Sequence, residues 1–195
     1  MAFGLLYDFL MGQTIEAYKY FGAHFVKQDG QEGVVFRVYA PLAKEISVIG
    51  EFNSWDPRNH PMKKIDESGV FEVFIPNVKN YQTYKYHILN ALGQYVDKQD
   101  PFGYFSEMRN GSCSKLFDID GFIWHDKKYM SKRDRNFDKP MSIYEVHIGS
   151  WLGRDGDRFL SYEEVADKLI EYVIEHGYTH IEVMPITQYP FDGSW

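Results

Sequence analysis

The side chains that could do chemistry in this sequence are scattered, not gathered. Glu163 and Glu164 stand together, and paired carboxylates suit acid–base work, but Ser161-Tyr162-Glu163-Glu164 has the form of a helix capping box, with Ser at N-cap and Glu at N3. Cap and dipole effects account for both acids. Asp118 and Asp120 fall in a loop and are expected to be solvated. Glu145 and His147 alternate with Tyr144, Val146 and Ile148, so they share one face of a strand. In a complete barrel they could form an inward-facing, buried polar pair, and a structural role is favoured over a catalytic one. Cys113 lies in the polar turn Asn110-Gly111-Ser112-Cys113; a catalytic thiol would need a His partner in a cleft, and incidental placement in the turn is the favoured reading. The histidines, His24, His60, His87, His125, His147, His176 and His180, are dispersed, and Gly177 breaks the helix that would align the last two. No Cys/His cluster exists, so neither a metal nor a cofactor is expected. One aromatic residue stands out. Trp55 sits in Asn53-Ser54-Trp55-Asp56, a turn between strands, where a buried Trp is not expected.

Stepping outward to composition, aromatic residues make up 17% of the 195 residues, which favours strands. The net charge of −7 gives no electrostatic reason to bind nucleic acid or anionic lipid. It is compatible with a neutral ligand. A single cysteine allows no internal disulfide, which fits a reducing cytoplasm. Met1 to Met11 lacks a positive n-region and a cleavage site, so it is not read as a signal peptide, and no apolar run approaches a membrane span.

The elements that must position these groups fall into four segments. Residues 1–23 read as a helical lead, with Tyr7, Leu10, Ile15 and Tyr18 as its apolar residues and Gly22 as its stop. Residues 24–118 carry short alternating runs at 34–39, 46–52, 70–75 and 84–89, separated by Pro, Gly and Asn turns. That pattern and size predict one immunoglobulin-like β-sandwich. Residues 119–140 form a polar linker, and the interleaved acids around Lys132-Arg133-Asp134-Arg135 argue against a nucleic-acid patch. Residues 141–195 predict one βαβ unit: a strand at 143–148, a helix after Ser161 and a strand at 180–184. The two strands should be parallel. The fold class is therefore mainly β, with an incomplete (β/α) barrel start. One such unit cannot make a stable sheet, because parallel strands need cover on both faces. A complete eight-stranded barrel takes roughly 250 residues. The expectation is a truncated chain, or a second polypeptide that supplies the missing C-terminal barrel portion.

Several phrases carry a resemblance: Tyr20-Phe21-Gly22-Ala23-His24, Val38-Tyr39-Ala40-Pro41, Gly50-Glu51-Phe52-Asn53-Ser54-Trp55-Asp56, Tyr84-Lys85-Tyr86 and Asp100-Pro101-Phe102-Gly103. The most specific are Ser142-Ile143-Tyr144-Glu145-Val146-His147-Ile148-Gly149-Ser150-Trp151 and Pro190-Phe191-Asp192-Gly193-Ser194-Trp195. In this order they resemble the 1,4-α-glucan (glycogen) branching enzymes over about residues 20–195. Trehalohydrolases are the nearest confusable family, and isoamylases and kinase glycogen-binding subunits share the phrase around Trp55. The resemblance implies a carbohydrate-binding module of family 48, followed by the start of a glycoside hydrolase family 13 barrel. It implies transfer of α-1,4-glucan segments to form α-1,6 branches in glycogen.

Retaining glycosyl transfer needs two carboxyl groups about 5–5.5 Å apart. In this family they follow later barrel strands, so no catalytic residue is assigned. The resemblance places Asp192–Trp195 near the donor side of the cleft, although a chain end is expected to be disordered. It also implies three substrate-binding residues. Trp55 matches a Trp that stacks on glucose, and Lys85 matches a Lys that hydrogen-bonds sugar hydroxyls. Tyr95 stands where a second stacking Trp occurs, a departure from the pattern. The competing reading of Trp55 is packing between sandwich and barrel, and that of Lys85 is a solvated strand residue. Trp124 and Trp151 are expected at the domain boundary. The expected partner is an α-glucan such as glycogen or amylose. The alternative function is a stand-alone, non-catalytic glycogen- or starch-binding module.

Overall fold

The computed structural model describes residues 2–108, 111–133, 138–152, 154–156 and 158–186, in two compact units that divide after Phe122. The first is a β-sandwich preceded by helix α1 (Ala2–Leu10). One sheet holds β1 (Gly22–Gln28), β2 (Gln31–Tyr39), β4 (Lys63–Lys64) and β5 (Val70–Pro76), in the order β1-β2-β5-β4. The other holds β3 (Glu45–Gly50), β6 (Thr83–Leu89), β8 (Phe105–Ser106) and β9 (Ser114–Lys115), in the order β3-β6-β9-β8, with β7 (Tyr95–Lys98) also paired to β6. All these pairings are antiparallel.

Period-two alternation builds the core between the sheets. Val34, Phe36 and Val38 of β2 point inward with Phe71 and Ile75 of β5. From the other sheet come Ile46 and Val48 of β3 with Tyr84 and Tyr86 of β6. Each such apolar side chain, fully buried, contributes about 1.5–3 kcal/mol. The four alternating runs read from sequence are all strands. The run through Phe52 is shorter than expected, because β3 stops at Gly50 and Glu51–Asn53 turn as a 3-10 helix.

The helical lead needs correction. The helix ends at Leu10, and Gly12 takes a left-handed φ of 68°. Tyr7, Leu10, Ile15 and Tyr18 are exposed, Ile15 at 97%. The buried stripe is Leu6, flanked by Leu5 and Phe9, packed with Tyr20, Phe21 and Val70. A helix of nine residues cannot carry a pattern drawn over twenty-two, and only its own i, i+3, i+4 neighbours reach the sheet. Strand β1 also begins inside the segment read as lead, so Gly22 opens a strand instead of ending a helix.

The second unit contains a short helix α2 (Lys127–Met130) and a parallel pair, β10 (Ile143–Val146) and β13 (His180–Val183). Between them lie α3 (Ile148–Trp151), a small hairpin of β11 (Arg154–Asp155) and β12 (Arg158–Phe159), and α4 (Tyr162–Glu175). The capping box forms as read: Ser161 Oγ accepts from the Glu164 amide at 3.2 Å, and Glu164 accepts from the Ser161 amide at 2.7 Å. Gly177, at φ 71°, closes the helix, and the Tyr178 amide reaches the Val173 carbonyl at 2.9 Å. Val146, Leu169 and Val173 are buried together. Trp151, half-buried, packs on that cluster and donates its indole N–H to the Tyr144 hydroxyl at 2.8 Å.

Candidate functional site

The turn after β3 is built around Asn53, which is buried. Its Oδ1 accepts the Gly50 amide at 2.9 Å, and its Nδ2 donates to the Val48 carbonyl at 2.8 Å. The second Nδ2 hydrogen goes to His60 Nδ1, 2.8 Å away, which places the proton of a neutral His60 on Nε2. Burial holds the His60 pKa below its ordinary value and keeps this ring an acceptor. Gly50 is required here, because a Cβ would lie 2.4 Å from the Thr83 carbonyl oxygen. The chain then passes through two successive left-handed residues, Ser54 (φ 55°) and Trp55 (φ 61°). The Trp55 amide donates to the Gly50 carbonyl at 3.0 Å, which fixes the residue at the end of the sheet with 39% of its surface exposed.

Lys85 lies opposite Ile49 on the outer face of β6, and its Nζ donates to Ser112 Oγ at 2.7 Å. Tyr95 lies opposite Leu89 on β7 and is 59% exposed. At about 3.3 Å per residue, the row of Tyr95 is about 13 Å along the sheet from the row of Lys85. The fold thus sets Trp55 and Lys85 at one end of this face and Tyr95 at the other.

Sequence reasoning passed over His87 and Asp97. The Tyr95 ring stacks on His87, with centroids 4.7 Å apart and planes at 11°. Asp97 Oδ1 lies 2.6 Å from His87 Nδ1 and holds that ring in place. The signal was present: His87 is two residues beyond Lys85 on a strand, and Asp97 two beyond Tyr95, so all four share the outer face. On the inner side, Tyr84 and Tyr86 donate their hydroxyls to Asp100 Oδ2 at 2.7 and 3.0 Å, and the Phe102 amide donates to Oδ1 at 2.8 Å. Burial raises the Asp100 pKa while these donors oppose the rise. This network braces β6 from beneath.

The remaining reactive-looking residues have structural explanations. Burial, with Glu107 nearby, pushes the Cys113 thiol up to about 11, so it is no nucleophile at neutral pH. Arg158 and the Ser161 amide hold Glu164 at about 2 as the helix cap. Asp118 accepts the Asp120 amide at 2.9 Å in a loop turn. Glu145 and His147 are both exposed, and β10 ends at Val146, so His147 lies just past the strand. His147 Nδ1 lies 2.8 Å from Ser150 Oγ. Among the described residues no group of three or more His, Cys, Asp or Glu could hold a metal ion. Asp192–Trp195, and Asp134 and Arg135 of the charged stretch, lie outside the described residues.

Comparison with known proteins places this geometry. Residues 20–103 match the family Carbohydrate-binding module 48 (isoamylase N-terminal domain). Over 190 residues the chain is 41% identical to the 1,4-alpha-glucan branching enzyme GlgB of Bacillus mycoides (strain KBAB4), covering 96% of this chain and 30% of that protein. It is 42% identical to the enzyme of the same name from Bacillus cereus (strain AH820), with the same coverage. The chain therefore spans about 30% of the length of these curated relatives. Among solved structures, a putative alpha amylase from Salmonella typhimurium superposes with a TM-score of 0.60 at 21% identity, over 90% of this chain and 26% of that one. The GBS pullulanase SAP, solved in complex with maltotetraose, gives 0.61 at 20%, over 88% and 24%. At these identities the likeness is one of fold.

Proposed function

We propose, from the premise that residues 20–103 belong to the carbohydrate-binding module 48 family, that the outer face of β3, β6 and β7 holds an α-1,4-glucan strand. Trp55 offers its indole to the apolar face of a sugar ring. Lys85 turns from Ser112 to a sugar hydroxyl, and Tyr95 provides a second flat surface toward the far end of the same face. The net charge of −7 suits a neutral polymer such as glycogen or amylose.

The observation that carries this reading is the turn at Trp55. Two left-handed non-glycine residues in succession are costly, by about 1–3 kcal/mol each. The Asn53–His60 network maintains them and presents a large ring at the surface. Kinship with the branching enzymes supports a role in glycogen biosynthesis in the cytoplasm, where the module keeps glucan close to a transferase that cuts α-1,4 and makes α-1,6 bonds. That chemistry is proposed from the branching enzymes as whole proteins, of which this chain spans about 30%. The β10–β13 pair is read as one unit of its (β/α) barrel. No bond-making role is given to Glu145, Glu163 or Glu164.

Electrophoresis through native gels containing glycogen tests the binding role. The chain should be retarded, and Trp55→Ala should run about tenfold less retarded, as loss of one stacking ring predicts. Equal migration of the two proteins would contradict the assignment of Trp55.

A further inference from the structure

The same sheet carries a second group of surface rings. Thr83 of β6 pairs with Lys115 of β9, which pairs with Phe105 of β8. Paired residues share a face, so Lys115 and Phe105 lie on the outer face that carries Lys85, two residues beyond Thr83. Leu116 points inward and is buried, which returns Phe117 to the outer face. Phe105 and Phe117 stack with centroids 5.6 Å apart and planes at 20°. Tyr81 closes the group, its ring edge-on to Phe105 at 6.2 Å and to Phe117 at 5.7 Å. The Lys115 ammonium sits 5.7 Å from the Phe105 centroid.

A solvent-facing sheet surface is ordinarily polar, and among the polar side chains of this one stand two half-buried rings, Phe105 and Phe117. Tyr81 is 58% exposed yet has a left-handed φ of 68°, a conformation uncommon for a residue with a Cβ. Its amide donates to the Leu116 carbonyl at 2.8 Å, which pins the strained residue over β9. A left-handed backbone that holds an exposed aromatic ring is the feature already seen at Trp55.

We infer that Tyr81, Phe105 and Phe117, with Lys115 as hydroxyl donor, form a second α-glucan platform on the same face as Lys85. This rests on the reading of the module as glucan-binding. It extends the track beyond the Trp55, Lys85 and Tyr95 positions. A strand running from β8 and β9 along β6 toward β7, which pairs with the same edge of β6 as β9, would meet rings at both ends, with Lys115 and Lys85 along the way. Apolar sugar faces fit the rings, and the rims of hydroxyls fit Lys115 and Lys85.

Tyr81→Gly is the informative variant, because glycine suits the left-handed backbone while removing the ring. In glycogen-containing native gels the full chain carrying Tyr81→Gly should lose retention about tenfold, and Tyr81→Phe should keep it. If Trp55→Ala weakens retention while Tyr81→Gly stays within about twofold of wild type, the second platform is wrong and the first reading stands. If Tyr81→Gly weakens retention and Trp55→Ala does not, the platform stands and the role of Trp55 falls. Should Tyr81→Gly melt early, the wild-type ring signals decide. Adding maltoheptaose should shift the proton resonances of Tyr81 and Phe105, and unmoved resonances would overturn the proposal.

Discussion

The sandwich and the βαβ unit obey the same packing rules with opposite results. In the sandwich, the inner face of each sheet buries apolar residues against the other, and α1 covers part of the outer face of β2 and β5. In the βαβ unit, α4 covers one side of the strand pair through Val146, Leu169 and Val173. Every residue of β13 is exposed, including Ile181 and Val183. Parallel pairs require cover on both faces, and the described residues supply it on one. The sandwich packs on itself from both sheets, and its turns hold left-handed non-glycine residues such as Trp55 and Tyr81.

The sharpest way to break this comparison is to open the sandwich core. Phe36→Ala removes a fully buried ring that packs on Phe52 and Tyr84, and should cost about 3–5 kcal/mol in denaturant unfolding. A loss near 1 kcal/mol would mean that the two sheets are not mutually supporting. A smaller effect tests the other region. Ser161→Ala deletes the cap of α4 and should cost about 1 kcal/mol, seen in helix circular dichroism with the sandwich transition unchanged. A drop in the sandwich transition would show that the two regions unfold as one.

The smallest effects separate the regions by pH. The pKa of His60 is depressed in the folded turn, so the unfolded chain takes up its proton first as pH falls. Its contribution is present above about 6.5 and declines below it. Glu164 is held at about 2, against an ordinary value of 4.5. Its contribution to α4 is intact above 4.5 and is lost as pH falls from there toward 2. An acid titration should therefore weaken the Trp55 turn before it frays α4. His60→Gln should remove the first phase, and an unchanged profile would contradict the network.

Much of this was legible in the residues. Alternation located four strands, and Ser161 with Glu164 and Gly177 marked both ends of α4, because these signals are local. Strand β1 was missed because its first two residues, Gly22 and Ala23, fell in the lead and the rest was not among the alternating runs read. The exposed side of α1 was chosen because the helix stops earlier than its apolar spacing suggests. Trp55, Lys85 and Tyr95 could be named one by one, but their spread along a sheet depends on register, which joins residues far apart in sequence. For the same reason His87 with Asp97, the Asp100 network and the Tyr81 rings emerge only when β6 is paired with β7 and β9.

Hydrogen exchange of the full chain with and without maltoheptaose tests the central claim most directly. The account predicts added protection at residues 50–56 and across β6 and β7, with β10, α4 and β13 unchanged. Protection gained only in β10, α4 and β13, or nowhere, would contradict a glucan-holding sandwich.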